Sequence, residues 1–115
     1  MIESTPEHLE EFGAYCRKWV DALHLNDWDC RYAIQERETG DANAWCNIRS
    51  ITRKVLFCLC PQREEMVCIE DLAKHECLEV LLADMCADLA RYYSDDFVAE
   101  SAHRVINRIM VAMKG

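Results

Sequence analysis

Leu9, Phe12, Cys16, Trp19, Val20 and Leu23 recur at intervals of three and four, the period of an α-helix with one buried stripe, and predict a first helix reaching about Leu25. Ser4-Thr5-Pro6-Glu7 ahead of it has the chemistry of a helix start: a hydroxyl to cap, a proline where its missing N–H costs nothing, and an acid near the positive helix end. Asn26-Asp27 ends the pattern. The period then drops to two. Trp28, Cys30, Tyr32 and Ile34 alternate with Asp29, Arg31, Ala33 and Gln35, as in a strand with one buried face. Glu38-Thr39-Gly40-Asp41 reads as a turn, Ala42, Ala44, Cys46 and Ile48 as a second alternating strand, and Lys54 to Cys60 as a third, apolar on both sides. Trp45 alternates out of phase with Ala44 and Cys46, which places it on the opposite sheet face as a potential contact surface.

Pro61 closes the third strand, and a helical pattern runs from about Glu64 to Tyr93. Ser94-Asp95-Asp96 then reads as a break and cap before a final helix ending near Met113. The order is α-β-β-β-α-α, an α+β fold with a small three-stranded sheet packed on helices. At about 100° per residue the long helix turns Glu70, Lys74, Asp84, Asp88 and Arg91 toward water. Leu72, Leu82, Ala83, Cys86, Ala90 and Tyr93 fall opposite, with His75 and Glu79 in the middle of that apolar face. In the final helix Val98, Ala102, Val105, Ile109 and Met113 mark the core stripe. His103 sits at its edge, and Glu100 lies further toward solvent. Met66, Met85, Met110 and Met113 read as core filler, as do Trp19 and Trp28.

Composition narrows the function. A chain of 115 residues is one domain's worth, 1–115. Its net charge of −8, with no run among the 13 basic residues, argues against a nucleic-acid partner and suits a basic protein or peptide. No apolar run reaches bilayer length and Met-Ile-Glu-Ser-Thr-Pro-Glu is acidic where a secretory signal is basic, so the expectation is a cytoplasmic protein with no membrane partner. The eight cysteines lie mostly inside apolar-periodic segments and form no CxxC pair, which favours small core residues over a disulfide framework or a zinc knuckle. Gly13 and Gly40 make no phosphate-binding loop.

The chemistry concentrates in His75-Glu76-Cys77-Leu78-Glu79, which has the spacing of the zinc-protease signature HExxH with a carboxylate in place of the second histidine. A carboxylate is still a competent zinc ligand. The short Ser94-Asp95-Asp96 connection should lay the final helix alongside as an antiparallel neighbour, bringing His103 to His75 and Glu79. Two imidazoles and one carboxylate are the His₂Glu set of catalytic zinc sites, and Glu76 would be the general base. A metal-free cluster in which a histidine hydrogen-bonds Glu79 accounts for the same residues. His8 and His24 have no partner suggested by spacing and are given no role.

On these residues the chain resembles small phage-encoded zincin-like metallopeptidases. The matching pieces are the Trp-led strand Trp28 to Ile34, the strand around Ala44, the apolar strand Val55 to Leu59, and Leu72-Ala73-Lys74-His75-Glu76 running into Leu81-Leu82. His103-Arg104-Val105-Ile106-Asn107-Arg108-Ile109 is similar to that family's last-helix segment, with His where the family has its ligand Glu. The second histidine and the third-ligand glutamate would thus have exchanged places. The resemblance implies a zinc cofactor held by His75, Glu79 and His103, peptide-bond hydrolysis with Glu76 as base, and residence in a host cytoplasm if phage-encoded. The other reading is a non-catalytic protein on the same scaffold, an inhibitor that meets a host protein through its acidic surface.

Overall fold

The computed structural model describes residues 1–38 and 42–114. Among these the elements are, in order, β1 (Ile2–Glu3), α1 (Pro6–Ala22), β2 (Asp29–Ile34), β3 (Ala44–Arg49), β4 (Lys54–Leu59), β5 (Gln62–Arg63), α2 (Ile69–Leu89) and α3 (Asp95–Met113). The expected turn at Glu38-Thr39-Gly40-Asp41 falls largely outside the described residues. The fold is α+β and compact. Its radius of gyration, 13.9 Å, is close to the about 13 Å that a packed domain of this length should have. No helix among the described residues is long and apolar enough to cross a membrane.

The three alternating segments form one sheet in the order β2-β4-β3, with β4 parallel to β2 and antiparallel to β3. The central position of β4 explains why it is apolar on both sides. Val55, Phe57 and Leu59 face a core shared with Phe12, Cys16 and Val20 of α1 and Ala73, Cys77 and Val80 of α2. On the other face Cys58 is fully buried, with Ala33 and Trp45 as its cross-strand neighbours. Trp45 Nε1 donates to the carbonyl of Gln35 at 2.9 Å, which ties the half-buried ring across the sheet.

A second, two-stranded sheet pairs β1 with β5, with Ile2 opposite Arg63 and Glu3 opposite Gln62. Its anchor is Arg63, 1% exposed, whose Nε donates to Ser4 Oγ at 2.7 Å. Its terminal nitrogen meets His8 Nδ1 at 3.1 Å. His8 therefore has a role that spacing did not show: it also accepts the Thr5 N–H at 3.1 Å while Thr5 Oγ1 accepts the His8 N–H at 3.2 Å, a reciprocal cap at the start of α1. Pairing of Gln62–Arg63 with β1 delays the long helix, which begins at Ile69 and not near Glu64. At the far end of α1 the helix stops at Ala22, before Leu25, and His24 takes the left-handed φ of 57°.

α2 is buried on two sides, which a single-stripe reading did not anticipate. α1 lies along one side, and Lys74, expected in water, is only 6% exposed, its Nζ 5.0 Å from the centre of the Trp19 ring. α3 is capped by Ser94, whose Oγ accepts the Phe97 N–H at 3.2 Å, and it packs on α2 through Val98 and Ile106. That stripe is rotated from the expected one, leaving Val105 and Met113 exposed. Tyr93, Met66 and Met85 are exposed as well and are not core filler.

Candidate metal centre

His75 and Glu79 stand one turn apart on α2, and α3 folds back to add His103. A single carboxylate oxygen joins them. Glu79 Oε1 lies 2.8 Å from His103 Nε2 and 3.5 Å from His75 Nε2, with the two imidazole centres 5.8 Å apart and tilted by 45°. One ligand atom from each of the three residues falls within 4.8 Å of the other two. Glu79 and His75 are half-buried and His103 is more open, so the cluster has a solvent side. Glu100 is exposed and stands outside the cluster, as its position on the helical wheel required.

Electrostatics sets the state of each group. Burial pushes the Glu79 carboxyl up, but hydrogen bonds from His75 and His103 outweigh it and hold the group below the usual carboxylate range. The same hydrogen bond raises His75 above the ordinary imidazole value against the opposing effect of burial, with the charges of Glu76 and Glu79 adding to the rise. Glu76, next in the chain to His75, behaves oppositely to Glu79. It is 5% exposed, and burial together with the charge of Glu79 pushes it up to about 7. Among the described residues no N–H or O–H donates to its carboxylate, and the nearby charge of His75 and thiol of Cys46 offset only part of the rise. A base whose pKa sits near neutrality is placed for proton transfer at physiological pH.

Spacing alone does not single out Cys46 as a site residue. It faces inward from β3 with Ala44 and Ile48, and its Sγ lies 3.9 Å from Glu79 Oε2 and 4.0 Å from the carbonyl oxygen of Glu76. Burial, then the charges of Glu76 and Glu79, push this thiol well above its ordinary value. The only hint was the alternation that put Cys46 on the buried face, and alternation does not say which helix covers that face.

Between β3, α2 and α3 runs a groove of about 810 Å³. His75, Glu76, Glu79 and His103 open into it, and Ala83, Ala87, Ala90, Ala99 and Ala102 line its further reach, their small side chains leaving the space. The outer edge of β3 pairs with no strand among the described residues. Two imidazole nitrogens and a carboxylate oxygen, convergent and partly shielded, are a donor set that fits zinc. Because Glu79 already holds His75 toward its protonated form, such a cation would enter by displacing a proton. Comparison with protein-family models, with curated proteins and with solved structures finds nothing that matches this chain.

Proposed function

We propose that the chain is a zinc-dependent peptidase of zincin-like design in which His75, Glu79 and His103 hold the metal and Glu76 is the general base. The observation that carries this reading is Glu76: a buried carboxyl at about 7, adjoining a His₂Glu cluster at the wall of a groove. A zinc ion held by the three side chains supplies Lewis acidity, polarising a carbonyl oxygen and lowering the pKa of water. Glu76 takes the proton of the attacking water and returns it to the leaving amine. The unpaired edge of β3 offers backbone N–H and C=O groups that align an extended peptide along the groove, and the alanine-lined reach takes an apolar side chain of that peptide.

The test is the zinc content of untagged protein by elemental analysis, for wild type beside His75→Ala and His103→Ala. Zinc that falls by about one equivalent in each variant relative to wild type is expected, together with peptide hydrolysis that Glu76→Gln abolishes while keeping zinc at the histidine position. Wild type that takes up no zinc after addition and removal of excess would sink this reading.

A specific surface favours a second reading, a non-catalytic protein that binds a basic partner. At the turn between α2 and α3, Tyr92 is 82% exposed and the half-exposed Tyr93 and Phe97 stack at 5.2 Å, beside Asp88, Asp95 and Asp96. An open aromatic corner with an acidic rim has the composition of a protein contact. Replacing Tyr92 and Phe97 by Ala together should then abolish biological activity while Glu76→Gln leaves it intact; the reverse outcome returns the function to the groove.

A further inference from the structure

The two oxygens of Glu79 face different neighbours. Oε1 lies between the imidazoles, while Oε2 faces the thiol of Cys46 at 3.9 Å. Cys46, Glu76 and Glu79 bring one ligand atom each to within 4.8 Å of the others, a second trio that shares Glu79 with the first. The thiol and the two imidazoles do not fall into one such trio, so Cys46 is not a fourth member of the histidine site. Hydrolysis uses Glu76 and assigns nothing to Cys46. Glu76 is 95% buried by the complement of its 5% exposure, opens into the groove, and has no donor outside this trio among the described residues. Two carboxylates side by side at the groove wall, one of them on an almost wholly buried side chain, are a favourable setting for a cation between them.

We propose that Cys46, Glu76 and Glu79 form a second cation position, joined to the first by the Glu79 carboxylate as a bridge and selective for thiophilic divalent ions such as Cd²⁺ and Zn²⁺. Sulfur sets that selectivity, since Mg²⁺ and Ca²⁺ take oxygen ligands and gain nothing from a thiol. Binding forms a metal–sulfur bond and releases the thiol proton to solvent, with no change of oxidation state. The position rests on the zinc reading through the shared Glu79, and it adds regulation to it. With Glu76 engaged as a ligand its lone pairs are no longer free to take a proton, so filling the second position stops hydrolysis and emptying it restores the base.

The experiment is titration of metal-free protein with Cd²⁺, followed by the ultraviolet sulfur-to-cadmium charge-transfer absorption and by elemental analysis after removal of excess. The expected result is two Cd²⁺ per wild-type chain with a charge-transfer band, one without the band in Cys46→Ser and in Cys46→Ala, and one with the band retained in His103→Ala. Count and band are read on the unsubstituted protein, so a variant that folds badly does not decide the matter. One Cd²⁺ per wild-type chain without a Cys46-dependent band overturns the second position and leaves the histidine site standing. One Cd²⁺ whose band disappears in both the Cys46 and His103 variants also overturns it, in favour of a single shared centre. No retained Cd²⁺ overturns both sites together.

Discussion

Glu79 and His103, 24 positions apart in the chain, meet with 2.8 Å between Oε1 and Nε2. The contact joins α2 to α3, the two helices that supply the proposed metal ligands. It also provides a short charge-assisted hydrogen bond for protein without metal.

Zinc should therefore stabilise the chain through this pair. At a thousandfold excess over its dissociation constant a ligand bound by the folded state alone adds about 4 kcal/mol, which for a chain of this size is a rise in Tm of roughly 15 °C. Differential scanning fluorimetry should show that rise for wild type, a much smaller one for Glu79→Gln and His103→Ala, and none with Mg²⁺. An equal rise in His103→Ala would remove the pair from the metal centre.

Glu76 makes stability depend on pH. Its folded pKa of about 7 lies above the ordinary 4.5, so the fold prefers the neutral carboxyl; the stability from that preference is fully present below 4.5 and is lost as pH rises through 7. The whole effect is about 3 kcal/mol. Glu79 runs the other way, its contribution being lost as pH falls through its lowered value, and it is common to wild type and variant. Metal-free Glu76→Gln, neutral at every pH, should match wild type in urea unfolding at pH 4 and exceed it by about 2–3 kcal/mol at pH 8. A variant with no advantage at pH 8 would show that the carboxyl is ionised in the native protein at little cost.

The elements were legible because burial imposes a period, and the first trio was legible because residues four apart share a helix face while a short connection returns the next helix alongside. What escaped depended on which element covers which face. Helical phase places Lys74 in solvent, and it is α1 lying against that side of α2 that buries it. Alternation puts Cys46 and Trp45 on opposite faces of β3, yet the neighbours that give them roles, Glu79 and Gln35, come from elsewhere in the chain. The parallel pairing of β2 with β4 has no local signature, because alternation fixes a strand's faces and not its partner. Arg63 falls between the third strand and the long helix with no pattern to mark it, because only tertiary structure brings Ser4 and His8 to it.

That buried arginine should be costly to remove. Arg63→Met leaves the His8 ring nitrogen and Ser4 Oγ without their guanidinium donors in a closed site, and the expected loss is about 2–4 kcal/mol. His8→Ala, which removes the reciprocal cap as well as one Arg63 acceptor, should cost about 1–2 kcal/mol. Urea denaturation measures both, and zinc content should be unchanged because β1, β5 and the start of α1 contribute no residue to the metal trio. A loss below about 0.5 kcal/mol for Arg63→Met, the range of an ordinary surface change, would mean that the methionine side chain replaces the whole network by packing.

The groove makes a prediction that separates substrate binding from metal binding. Ala99 lines its further reach from α3 and is absent from both metal trios, so Ala99→Trp adds a bulky ring where the peptide side chain is placed and leaves the ligands untouched. Zinc content and Tm should stay at wild-type values while kcat/KM for an apolar peptide falls at least tenfold, about 1.4 kcal/mol, chiefly through KM. Ala112→Trp, on an exposed position of the same helix outside the groove lining, controls for the ring itself and should hydrolyse normally. If Ala99→Trp retains wild-type KM, the peptide lies elsewhere; if kcat falls at constant KM, the ring has disturbed Glu76 and not the substrate. The expected pattern, a KM effect confined to the groove variant with full zinc in both, assigns the alanine-lined reach to substrate recognition and the His75, Glu79, His103 pole to the metal.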